Sequence, residues 1–115
     1  MNTVDEYPHH PVPRGLAEMT DLDHIRAEID TIDREIVALV ARRTERVRRL
    51  LEHKHSPDAI RVPAREREVL ANVRSVAEKT GADPDLVERV YETMIAAFVE
   101  YEQREQRRIA DRNAG

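Results

Sequence analysis

Apolar residues at helical spacing run from Leu22 to Leu51, and two cations, Arg43 and Lys54, stand on that stripe where a hydrophobe is expected. The stripe reads Leu22, Ile25, Ile29, Ile32, Ile36, Leu39, then shifts by one residue and continues Val40, Arg43, Val47, Leu50, Lys54. Steps of three and four alternate, the pattern of one long helix carrying a coiled-coil-like seam. An ammonium or guanidinium taken out of water costs several kcal/mol unless something pairs with it. Two cations on one apolar seam therefore imply an anion bound between them.

A chain of 115 residues forms one domain at most, and a core built from a single copy is thin, so burial against a partner is expected. With 37% charged residues, 3% aromatic residues and 3 glycines, long helices fit better than sheet, and the expected class is all-α. There is no cysteine, which removes disulfides, thiolate nucleophiles and zinc–thiolate sites and is compatible with a reducing compartment. No apolar run has the length to cross a bilayer, and MNTVDEYPHHPVPRG lacks the apolar centre of a signal peptide. A cytoplasmic protein with no membrane partner is the expectation. The formal charge of −4 argues against general affinity for nucleic acid, although Arg42, Arg43, Arg46, Arg48, Arg49 and Lys54 make a local positive field.

Residues 1–19 hold Pro8, Pro11, Pro13 and Gly15 without periodicity and are expected to form a flexible tail, in which His9 and His10 are ordinary solvated side chains. Thr20 with Asp23 three residues later resembles a capping box and opens a first helix expected to reach about His55, ahead of Pro57. Pro63 suits the first turn of a second helix, which runs to about Thr80 and is stopped by Gly81. Asp83 and Pro84 form a cap and first-turn pair for a third helix, whose apolar side carries Leu86, Val87, Val90, Met94, Ile95, Phe98 and Tyr101. That helix is expected to fade after Glu102. The helical domain is drawn at 20–109, with 110–115 as a disordered end.

Spacing along the first helix predicts two chains. Lys54 lies eleven residues after Arg43, which returns to within about 20° of the same face after roughly 16 Å of rise, so both can converge on one small dianion. Arg26 lies four heptads before Lys54, on the same face of a supercoiled helix but roughly 42 Å away. An antiparallel second copy removes that distance by bringing its own Arg26 alongside Arg43 and Lys54. The symmetry axis then falls near residue 37, close to the midpoint of the expected helix. The expectation is a two-fold homodimer with two equivalent sites, each built from both chains.

The stretch IRAEIDTIDREIVALVARR, then Lys54, then AREREVL, resembles the first helix and second-helix start of the all-helical chorismate mutase family, which includes isochorismate pyruvate lyase relatives. The similarity covers about residues 20–106 and rests on the ordered set Arg26, Arg43, Lys54, Arg65 and Glu66. It implies a three-helix chain in an intertwined antiparallel homodimer, a chorismate-like dicarboxylate substrate, no cofactor, and a place in the shikimate route to aromatic amino acids. It also implies roles. Arg26 from the second chain and Arg43 from the same chain hold carboxylates, Lys54 donates to the ether oxygen of the breaking bond, Arg65 adds positive potential near the ring carboxylate, and Glu66 accepts from the ring hydroxyl. Rearrangement of chorismate to prephenate is intramolecular, so fixed cations that hold the reactive conformer and meet developing negative charge are sufficient machinery.

Three positions depart from the family pattern. Glu102 stands where bacterial members usually carry glutamine, though some members have glutamate, and it can donate to the ether oxygen only when protonated. Phe98 replaces a small hydroxyl residue of mutases or the tyrosine of the lyase, and Val62 replaces an acidic residue. Taken singly, the polar candidates also have plain structural explanations. Arg43 fits a snorkelling cation, Lys54 a charge meeting the end of a helix dipole, Arg65 and Glu66 first-turn charges, and Glu102 the exposed start of a polar run. The expected activity is chorismate mutase. Isochorismate pyruvate lyase and amino-deoxychorismate mutase are the enzymatic alternatives, and a non-catalytic helical interaction or regulatory module using the Arg42–Lys54 patch is the alternative from another class.

Overall fold

The computed structural model describes the backbone of residues 14–114 and the side chains from Thr20 to Ala114. His9, His10 and the rest of 1–13 lie outside the described residues, as does Gly115. The described residues form three α-helices, α1 (Arg14–Leu51), α2 (Pro63–Thr80) and α3 (Pro84–Ala114), with a single 3-10 turn at Pro57–Ala59 and no strand. The all-α expectation holds.

Helix boundaries differ from expectation at three places. α1 begins at Arg14, well before the Thr20–Asp23 pair, because Leu16, Ala17, Glu18 and Met19 are good helix formers that extend it backward through Gly15. It ends at Leu51 instead of about His55. Glu52, His53 and Lys54 continue with N–H bonds to carbonyls three residues back, to Arg49 at 3.2 Å, Leu50 at 2.9 Å and Leu51 at 3.2 Å. Ser56 then turns extended at φ −140°, ψ 155°, as a residue before proline prefers. α3 does not fade after Glu102 but continues to Ala114, so the drawn disordered end at 110–115 is helical through 114.

The other boundaries match the sequence. Pro63 opens α2 after an extended Val62, and Gly81 closes it in the left-handed region at φ 83°. The Ala82 N–H reaches back to the Ala77 carbonyl at 2.9 Å, a Schellman-type closure that satisfies an otherwise orphaned helix-end acceptor. Asp83 caps α3. Its Oδ1 accepts from the Asp85 N–H at 2.9 Å and the Leu86 N–H at 3.4 Å, ahead of Pro84 in the first turn.

By internal contacts the chain divides after Arg42 into two units. In the first, the α1 stripe is uncovered: Leu22, Ile25, Ile29, Ile32, Ile36 and Leu39 are between 45% and 56% exposed. In the second, α2 packs on α3, with Ala77 buried. Arg74 of α2 ties the pair by donating to Asp85 Oδ1 at 2.9 Å and Glu88 Oε1 at 2.7 Å, and those two partners, Asp85 first, hold its guanidinium pKa above the ordinary value. The core of this unit is Leu51, Ile60 and Val99, flanked by Ile95 and Ile109. It docks the last turn of α1 and the segment after the 3-10 turn onto α3. That docking sets where Lys54 stands.

Gly81 has the only positive φ among the described residues, and a Cβ there meets nothing within 4 Å. Gly81→Ala is therefore expected to cost about 1 kcal/mol, from backbone strain alone. Chemical denaturation of the pure protein measures it, and Gly81→Asn should cost less.

Candidate active site

The sharp turn at the end of α1 carries Lys54 towards α3, where Glu102 lies on the face that also holds Phe98 and Val99. Lys54 Nζ donates to Glu102 Oε1 at 2.9 Å. The Glu102 side chain is 10% exposed and that of Lys54 21%, so water screens the pair only partly. Glu102 is the one buried charged residue among the described residues. The exposed polar-run explanation of Glu102 therefore fails: α3 continues past it, and the packed end of α1 covers it.

Around this pair is a cavity of about 330 Å³, the size that suits a small molecule. Val47 and Leu50 of α1, Ile60, Val62, Val69 of α2, and Ile95 and Val99 of α3 make its apolar wall. Arg43, Lys54, Arg65, Glu66 and Glu102 supply its polar groups, and Phe98 completes it. Seven of the eight residues singled out from the sequence thus face one cavity: Arg43, Lys54, Val62, Arg65, Glu66, Phe98 and Glu102. The eighth, Arg26, belongs to the other unit and is exposed.

Each polar group has a distinct setting. The Arg43 guanidinium lies over the Phe98 ring, 4.4 Å from Cζ to the centroid, a cation–π contact that steadies a half-buried cation without neutralising it. Phe98 itself is braced edge-on by Tyr101, with centroids 6.3 Å apart at 75°. Arg65 is mostly exposed and pairs with Glu68, which places its positive charge at the rim. Glu66 has one oxygen, Oε1, at 3.6 Å from Arg61 Nη2, while its Oε2 is buried and has no hydrogen-bond partner. A buried acceptor without a donor costs about 1–3 kcal/mol, a deficit that a donor on a bound ligand removes. The arrangement offers two cations to anionic groups, an ammonium beside a carboxylate in the interior, and an open acceptor opposite an apolar wall.

Sequence reasoning missed two polar contributors. Arg61 pairs with Glu66 from the loop before α2. Gln106, one turn after Glu102 on α3, donates to the carbonyls of Lys54 and Ser56 at 3.1 and 3.2 Å. The signal for Gln106 was its spacing of four from Glu102, which puts both on one helix face. It was obscured by assigning residues after Glu102 to a fraying end.

The sequence model of the family described as chorismate mutase type II matches residues 25–103, more than half of the chain. The chain belongs to the chorismate mutase type II family. This is a family of isomerases. The chorismate mutase type II match takes in all eight expected site residues, from Arg26 to Glu102, and ends before Gln106. Among curated relatives, a T-protein of Haemophilus influenzae is 41% identical over 73 residues, which is 63% of this chain and 19% of that protein. A T-protein of Enterobacter agglomerans is 38% identical over 73 residues, 63% of this chain and 20% of that protein. The chain thus spans about a fifth of the length of the curated relatives it matches. No solved structure matches it.

Proposed function

We propose that this chain catalyses the rearrangement of chorismate to prephenate by electrostatic preorganisation, on the route to aromatic amino acids. The observation that carries the proposal is the single cavity in which Arg43, Lys54, Glu66 and Glu102 converge against an apolar wall. The reaction breaks a carbon–oxygen bond and forms a carbon–carbon bond within one molecule. It needs a folded-up conformer and stabilisation of the negative charge that grows on the ether oxygen. Arg43, held over Phe98, grips a carboxylate and fixes the conformer. The Lys54 ammonium donates to the ether oxygen. Glu66 accepts a hydrogen bond from the ring hydroxyl on its open oxygen, and Arg65 at the rim draws the dianion in.

The second carboxylate requires Arg26 of a second copy. Supporting this is the α1 stripe, uncovered from Leu22 to Leu39 and flanked by charged residues, which is what an antiparallel self-association seam needs. The dimer has shared sites, and neither nucleic acid nor a membrane is a partner. Among the described residues no helix is long and apolar enough to cross a membrane.

Incubation with chorismate should yield prephenate, and Lys54→Ala should lower kcat by about 10²–10³-fold, the usual loss when one donor to developing charge is removed. Parallel incubation with isochorismate and with amino-deoxychorismate tests the alternatives. Salicylate and pyruvate as the main products, or turnover of the amino substrate alone, would displace the mutase assignment. Indifference of every turnover to Lys54→Ala would sink all three enzymatic readings.

Glu102 gives a pH signature. As a carboxylate it accepts from Lys54 and has no proton to donate, whereas as an acid it is a second donor to the ether oxygen. Turnover should therefore rise as pH falls, and Glu102→Gln, which donates at any pH, should flatten the profile. An unchanged profile in that variant would remove Glu102 from the chemistry.

Site sharing has a complementation test. Arg26→Ala and Lys54→Ala each inactivate alone, but a mixed dimer holds one intact site, so mixing and re-equilibrating the two should restore about a quarter of wild-type activity. No recovery, in a mixture shown by mass to have exchanged subunits, would place Arg26 outside the site.

A further inference from the structure

We propose that Gln106 is a positioning residue for the Lys54 ammonium, and that α3 holds Lys54 at both ends. The proposal rests on Lys54 being the donor to the ether oxygen. Lys54 stands beyond the end of α1, on a turn closed by bonds to carbonyls three residues back, and the chain after it is extended at Ser56. Backbone of this kind has no ladder to fix it. Gln106 ties the backbone of this turn to α3: its Nε2 donates to the Lys54 carbonyl at 3.1 Å and to the Ser56 carbonyl at 3.2 Å.

Glu102 and Gln106 are four residues apart on α3, so they lie one above the other on the same face. Glu102 receives the Nζ end of Lys54 and Gln106 anchors its backbone end. Between the two anchors runs a four-carbon stem with several rotatable bonds, whose freedom is large unless both ends are fixed. With the backbone anchor gone, the ammonium stays tethered to Glu102 while the stem and turn wander, so its distance to a reacting oxygen is no longer set. Misplacing a donor by about 1 Å costs up to about a hundredfold in rate.

Gln106 is not among the residues around the cavity of Lys54 and Glu102 but lines a neighbouring cavity that Lys54 also borders, so it stands apart from the groups that grip a substrate. It also lies beyond the residues that match the family. Its effect on turnover has to pass through Lys54, which separates it from the residues that grip the substrate.

The test uses Gln106→Met, which keeps length and bulk but has no donor. Wild type and variant are compared by steady-state kinetics on chorismate, thermal unfolding, and amide hydrogen exchange across residues 52–62. The expected result is a kcat lower by between about tenfold and about a hundredfold with KM within about twofold. Exchange should be faster at Ala59 and Ile60, while α2 and the middle of α3 remain as in wild type. Equal kcat in the two proteins, or a loss that only follows the unfolded fraction, would overturn the proposal, as would unchanged exchange in the segment. If wild type makes no prephenate, the functional assignment fails separately, and the exchange comparison still decides whether Gln106 anchors the Lys54 turn.

Discussion

The ion pair between Lys54 and Glu102 is the interaction around which the second unit is arranged. A carboxylate at 8% residue exposure is tolerable only with a partner, and its partner comes from a turn far away in sequence. Bringing the two to 2.9 Å forces the end of α1 to lie against α3 at one register, which is the register that buries Leu51 and Ile60 on Val99. Apolar burial and charge pairing thus specify the same docking. The hydrophobic cluster supplies the stabilisation, and the pair supplies the alignment.

The cavity follows from that docking. Its wall is aliphatic, which lowers the local dielectric and strengthens each charge that faces it. Its charges are fixed before any ligand arrives: Arg43 by the Phe98 ring, Lys54 by Glu102 and Gln106, and Glu66 by Arg61 on one oxygen only. A site of this kind acts through placement. Intramolecular rearrangement is the chemistry for which placement is sufficient, and for that reason the proposed activity needs no nucleophile.

The rest of the molecule is under-buried. Few of the described side chains are enclosed, while the first unit presents a row of isoleucines and leucines about half exposed. A core this thin gives little stability by itself. Covering the row with its own copy would supply the missing burial and, on the proposed arrangement, carry Arg26 to the partner's cavity. Stability and site completion would then depend on one interface.

Much of this was legible in the sequence, for definable reasons. Three- and four-residue spacing announced the helices, and Pro63, Gly81, Asp83 and Pro84 marked their ends because turn and cap chemistry is local. Arg43 and Lys54 stood out because a cation on an apolar stripe breaks the pattern. The ends of α1 and α3 lie elsewhere than the sequence pattern placed them, and the extra α3 turns hid Gln106. Only tertiary structure decided that Glu102 is buried and paired, that Phe98 lies under Arg43, that Glu66 keeps one oxygen open, and that Gln106 reaches the Lys54 carbonyl. Helix periodicity is a property of neighbours in sequence, so the chain states it directly. Which carboxylate meets which ammonium depends on how segments some fifty residues apart dock, and no local pattern encodes that.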